Sequence, residues 1–172
     1  MASLNILQGI HRYQAAFHPV VVFDHVKDKL LPFDFTAANK ELTADILLSS
    51  NQFIAYINDK LNKANARYGI GGYAEHRTVY SSSKVFDGNA PGEEPRRLHL
   101  GIDIWGPPQT AIMAPLDGFV HSFAFNNRFG DYGATIILTH LLEGFTFYTL
   151  YGHLSLHSIK NLREGELVKK GE

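Results

Sequence analysis

The 172-residue chain has no cysteine, which excludes a disulfide framework, a thiolate zinc site and a cysteine nucleophile. Any metal must therefore be held by His, Asp or Glu, and nine histidines supply such ligands. Net charge is also lacking. Sixteen Lys and Arg against seventeen Asp and Glu leave −1, so there is no basic field for gripping phosphate backbones, and a dedicated nucleic-acid partner is excluded. No stretch approaches the roughly 18 consecutive apolar residues of a membrane span. The N-terminus reads as no secretory signal. Its apolar run Pro19–Phe23 is short, follows His11, Arg12 and His18, and has no small-residue cleavage site behind it. With Met1 as the native start the chain is expected in the cytoplasm; a leader removed beforehand is the other reading. Internal repeats and low-complexity tracts are absent too. What is present, 45% apolar and 19% charged residues, is the balance of a folded globular chain.

The composition changes near residue 90. Ser81-Ser82-Ser83 and the run Asp87–Pro95 are turn and loop chemistry. The expected division is an α-containing extension over 1–92 and a mainly antiparallel β domain over 93–172, an α+β fold. Within the first part, Val20–Val26 reads as a short strand or buried run. Ser49 followed by Gln52 resembles a capping box, and Phe53, Ile57 and Leu61 form one apolar stripe. That spacing predicts a helix of about four turns ending near Gly69, its stripe spent on core packing. In the second part, Ala114–Val120 reads as a turn leading into a strand. The runs Ala134–His140 and Phe145–Leu154, joined at Glu143-Gly144, read as a hairpin. Residues Glu164–Glu172 read as a short strand between tight turns.

Two places could carry chemistry. Leu98-His99-Leu100-Gly101-Ile102-Asp103-Ile104 alternates, so His99, Gly101 and Asp103 share one face of a predicted strand and the apolar residues the other. In a straight strand His99 and Asp103 would stand about 13 Å apart at ~3.3 Å per residue, too far to share one ion. Gly101 between them permits the bend that would bring them together. On spacing alone, a surface strand with an incidental His and Asp is an equal reading. The second place is Tyr151-Gly152-His153-Leu154-Ser155, where a histidine near a strand end can act as acid, base or hydrogen-bond donor, or simply cap the sheet.

Taken in order, five segments resemble the M23 (lysostaphin/LytM-like) zinc metallopeptidases. They are His99–Asp103, Ala114–Val120, Tyr132–His140, Tyr151–Ser155 and Gly165–Gly171, and the likeness runs from about Arg97 to Glu172. The resemblance implies that His99 and Asp103 are zinc ligands and that His153 is the catalytic histidine opposite the metal, orienting water or stabilising an oxyanion. It implies a Zn2+ cofactor, a peptidoglycan peptide or other peptide as substrate, endopeptidase activity, and placement in the cell envelope. The family's closing His-x-His, which supplies a third ligand and a second catalytic histidine, does not occur in this sequence. The sequence is accordingly read as shortened before that motif. A two-ligand site is expected to bind zinc weakly and to turn over slowly or not at all.

Two alternatives stand beside this reading. One is an M23-like module that binds or regulates without catalysis. The other is a biotinyl/lipoyl-type domain, opposed by the lack of any lysine between Ala114 and Leu156. Among the other histidines, His140 is expected to pack at its strand end and His121 to lie on the surface. His157 would reach a metal only by an unusual loop path, and the seven-residue spacing of His11, His18 and His25 carries little. Glu75-His76-Arg77 is read first as a structural salt bridge and second as a group shaping substrate access.

Overall fold

A computed structural model describes residues 6–77, 80, 94–128 and 130–172. Among these are three α-helices and nine strands, mostly antiparallel, which is the expected α+β class. The loop chemistry at 81–83 and 87–93 lies outside the described residues. The chain forms two compact units, Asp24–Pro108 and a second made of Met1–Phe23 with Gln109–Glu172.

The Asp24–Pro108 unit contains strands as well as helices. Strand β1 (Leu30–Phe33) runs parallel to β2 (Tyr68–Gly71), which pairs antiparallel with β5 (Ile104–Trp105). A separate ribbon pairs β3 (Glu75–His76) with β4 (Leu98–His99). Helix α2 spans Ala44–Leu48 and α3 spans Ser50–Ala64. The Ser49 hydroxyl accepts from the Gln52 N–H at 3.4 Å and caps α3. The helix ends earlier than Gly69. Asn65 enters the left-handed region (φ 49°) and its N–H returns to Leu61 and Asn62 carbonyls, while Gly69 belongs to β2. Ile57 and Leu61 turn inward onto Phe33, Phe35 and Leu42, with Phe53 and Trp105 at the margin of this core. The stripe is packing, as its spacing implied. Deleting such a buried aliphatic side chain costs about 2–5 kcal/mol.

The alternating run 98–104 departs from one continuous strand. It breaks after His99, and its two halves pair with different partners, β4 with β3 and β5 with β2. Its apolar side chains do not anchor it either. Leu98, Leu100, Ile102 and Ile104 are all exposed. Val20–Val26 forms no strand; Val21 is buried but Val22 and Val26 are exposed.

The other unit starts with α1 (Ile6–Tyr13) and is dominated by a four-stranded antiparallel sheet in the order β8-β7-β6-β9. These strands are β6 (Gly118–Asn126), β7 (Gly133–Leu142), β8 (Phe145–Leu154) and β9 (Leu167–Val168). Glu143 and Gly144, both at positive φ (50° and 84°), close the β7–β8 hairpin in two residues. Ala114, Val120 and Leu138 form its buried core. His140 is only 1% exposed. Its Nδ1 faces the Asp117 carbonyl at 3.0 Å and its Nε2 the Thr149 hydroxyl at 2.8 Å, which in turn bonds the Tyr151 hydroxyl at 2.9 Å. His140 thus packs, as expected, and satisfies a buried polar chain. Burial raises the Tyr151 phenol above its ordinary range, partly offset by Thr149.

Gly118 lies against the His140 ring. A Cβ there would meet ring atoms and the Thr139 carbonyl at 2.8 Å. Gly118→Ala is therefore expected to destabilise the chain by about 1–3 kcal/mol, read as a lower urea midpoint. A second expectation concerns acid. Backbone N–H groups hold the carboxyls of Asp24, Asp28 and Asp117 below their usual range, Thr36 holds Asp34 down, and Lys60 holds Glu41 down. Because these folded-state values are depressed, their stabilisation is present above the unfolded values of about 4 and is lost as pH falls through the lower folded ones. The urea midpoint should be lower at pH 3 than at pH 6.

Candidate metal centre

His99 ends β4 and Asp103 immediately precedes β5. The break between them changes their separation. Instead of the extended span, His99 Nε2 and Asp103 Oδ1 lie 3.4 Å apart. Gly101 makes room for this approach, since a Cβ there would sit 3.1 Å from His99 Nε2. The structure therefore brings the two predicted ligands together by the bend that the glycine was expected to permit.

Neighbouring groups orient both side chains. His99 Nδ1 faces the Gly72 carbonyl at 3.1 Å. A carbonyl only accepts, so Nδ1 carries a proton, and in the neutral imidazole Nε2 is the nitrogen that keeps a lone pair, on the side of Asp103. The Asp103 carbonyl accepts from the Gly71 N–H at 2.9 Å. Its carboxylate is divided. Oδ2 accepts a short hydrogen bond from Arg77 Nη1, while Oδ1 faces His99. Arg77 is itself only 4% exposed, and its Nε donates to Glu75 Oε2 at 2.7 Å. Glu75 Oε1 accepts the Phe35 N–H at 3.0 Å. Burial works against the Arg77 charge, but Asp103 and Glu75 outweigh it and hold the guanidinium above its ordinary range. Sequence reasoning read the cluster Glu75-His76-Arg77 as a structural salt bridge and missed Asp103, which lies 26 residues from Arg77.

The donor set fits a small divalent cation. Zinc bonds of about 2.0–2.1 Å to nitrogen and 2.0–2.2 Å to oxygen, at a tetrahedral angle, place the two donors about 3.3–3.5 Å apart. The observed 3.4 Å matches that spacing and exceeds the 2.9–3.0 Å typical of an N–H···O hydrogen bond. Among the described residues no group of three His, Asp or Glu side chains is assembled to hold a metal.

His153 belongs to the other compact unit. On β8 it sits in a bulge. Ala134 pairs with Leu154 and Ile136 with Tyr151, so Gly152 and His153 together oppose Thr135. His153 takes a left-handed backbone, φ 56°, and its imidazole is exposed. Its N–H donates to the Tyr132 carbonyl at 2.6 Å, and the Tyr132 ring lies 6.1 Å from the imidazole, centre to centre. That ring also fills the space beside Gly152, where a Cβ would meet it at 2.7 Å. An L-residue held at positive φ within a strand is strained, and such strain concentrates at functional positions. Other histidines of this unit have ordinary surface roles. His121 is exposed and lies edge-on to Tyr148, and His157 is exposed in the single turn Leu156–Ile159.

Comparison with known proteins converges on the same stretch. The model of peptidase family M23 matches residues 97–172. An uncharacterized metalloprotease of Haemophilus influenzae is 31% identical over 114 residues, covering 66% of this chain. The chain matches 22% of that relative's length. No solved structure matches.

The strain at His153 can be measured. His153→Gly is expected to be more stable than His153→Ala by about 1 kcal/mol, because only glycine relieves the left-handed conformation without penalty. Equilibrium unfolding of the two variants in urea reads the difference.

Proposed function

The chain belongs, through residues 97–172, to peptidase family M23, and on that premise we propose that it is a zinc-dependent endopeptidase that cleaves peptide bonds of bacterial cell-wall peptidoglycan. The observation that carries this reading is the 3.4 Å pairing of His99 Nε2 with Asp103 Oδ1. Those two atoms would hold the metal. When bound, zinc polarises a carbonyl and lowers the pKa of its water to about 7. Nε2 is the nitrogen of His99 that would face the metal, because Nδ1 is committed to the Gly72 carbonyl. Asp103 presents one carboxylate oxygen because the other is committed to Arg77.

The role of His153, which belongs to the other unit, comes into this proposal from the family resemblance. Its exposed imidazole can donate a hydrogen bond to negative charge developing on a scissile carbonyl, or hold a proton for the leaving amine. The bulge at Gly152-His153 supports that role, since it turns the side chain away from the regular alternation of β8. The cell-wall substrate rests on the family alone, and a site of action in the envelope is part of the same proposal. A second reading, a module that binds peptidoglycan without cutting it, is favoured by the assembly of only two metal-ligating side chains among the described residues.

Metal content and hydrolysis of peptidoglycan peptides separate the two readings. His99→Ala and Asp103→Ala are expected to abolish zinc retention. His153→Ala is expected to keep the metal and slow hydrolysis about 100- to 1,000-fold, the usual effect of removing one oxyanion donor. A folded wild-type chain that retains zinc and binds peptidoglycan without cleaving it supports the binding module. An unchanged rate in His153→Ala removes that residue from the mechanism.

A further inference from the structure

We infer that Arg77, held by Glu75, is a positioning residue that keeps Asp103 a one-oxygen metal ligand, so that a segment outside the family-matched stretch forms the outer shell of the centre. The inference rests on the proposed reading of His99 and Asp103 as ligands. It starts from a division of labour on one carboxylate. Arg77 Nη1 takes Oδ2, leaving Oδ1 as the oxygen that faces His99 Nε2. A carboxylate free at both oxygens can swing or bind through both. With one oxygen tied to a guanidinium, only the other is presented, and its direction is set.

Arg77 is rigid enough to do this. It is buried, and its charge is shared with a second carboxylate that is anchored in turn. Glu75 binds Arg77 Nε with one oxygen and the Phe35 N–H with the other. The Arg77 N–H donates to the Arg97 carbonyl at 2.9 Å, extending the β3–β4 ribbon in which Glu75 pairs with His99. The guanidinium lies 5.3 Å from the Phe35 ring centre and 5.8 Å from that of Tyr80. Gly71 leaves the space it occupies, for a Cβ there would stand 2.8 Å from Arg77 Nη2. The same short segment reaches both ligands. Gly71 N–H holds the Asp103 backbone and the Gly72 carbonyl holds the His99 ring. Residues 71–77 therefore orient both candidate ligands, yet they precede the family match, which begins at residue 97.

The geometry of the fork selects arginine for this role. Its Nε and Nη1 bind two carboxylates at once in a fixed plane, which a lysine ammonium on a flexible stem does not reproduce. Arg77→Lys keeps the buried charge but loses the fixed geometry. Arg77→Gln loses the charge as well.

The test is metal binding by the 172-residue chain, without reference to hydrolysis. Zinc affinity is measured by competition with a chelating dye. Cobalt(II) loaded alone reports ligand geometry through its visible absorption. Far-ultraviolet circular dichroism confirms folding of each variant, and Arg77→Lys carries the test if Arg77→Gln does not fold. The inference expects Arg77→Lys to weaken zinc binding about 10- to 100-fold, the usual effect of losing an outer-shell partner, and to alter the cobalt spectrum. A folded Arg77→Lys with wild-type zinc affinity and an unchanged cobalt spectrum overturns the positioning role while leaving His99 and Asp103 as ligands. A folded wild-type chain that takes up neither ion overturns the ligand reading itself, and this inference with it.

Discussion

The backbone break between His99 and Ile104 governs the candidate centre. A continuous strand would carry these residues along one sheet and hold the imidazole and carboxylate far apart. Here β4 pairs with β3 and β5 pairs with β2, so the intervening residues pass from a two-stranded ribbon to a three-stranded sheet. Gly101 sits at the turn, where the His99 ring occupies space that a side chain would need. The same break explains the exposed leucines and isoleucines of this stretch. Once the alternation is interrupted, its apolar residues no longer share one packed face.

Around that break the protein buries charge, which is costly unless every group is paired. Arg77 is paired twice, with Glu75 and Asp103, and Glu75 is paired again with a backbone N–H. The network is unequal in one respect. Arg77 Nη2 is buried without a hydrogen-bond partner among the described residues. Its surroundings are aromatic, Phe35 and Tyr80, whose ring faces attract the guanidinium without satisfying each of its N–H groups. Removing either carboxylate would leave buried positive charge less compensated, so the network and the local fold stand together.

The sheet unit positions its histidine by another device. His153 is displaced by a bulge rather than by a strand break, and the distortion is stored in its left-handed backbone. The Tyr132 carbonyl and ring stabilise that conformation. Elsewhere in this sheet a histidine is used in the opposite way. His140 is enclosed, hydrogen-bonded at both ring nitrogens, and packed against Phe147 at 5.1 Å. Exposure and backbone strain distinguish the two histidines, although both occur on β-rich runs.

Local signals were legible wherever a few neighbouring residues decide the outcome. The Ser49 cap, the Phe53-Ile57-Leu61 stripe, the Glu143-Gly144 hairpin and the glycine between His99 and Asp103 all act within one turn or one strand. The end of α3 was misplaced because Asn65, four residues before Gly69, could already adopt the left-handed cap. The strands of the first ninety residues were missed because β1, β2 and β3 are two to four residues long and are defined by partners distant in sequence. The sequence by itself determined the α+β class, the resemblance of residues 97–172 to family M23 and the glycine that lets His99 and Asp103 approach, since these rest on composition, ordered motifs and short spacing. Only the tertiary structure decided that Arg77 grips Asp103, that Gly72 sets the His99 tautomer and that His153 is strained. Those facts depend on side chains meeting across long stretches of chain and on backbone angles, and neither is encoded in any local pattern.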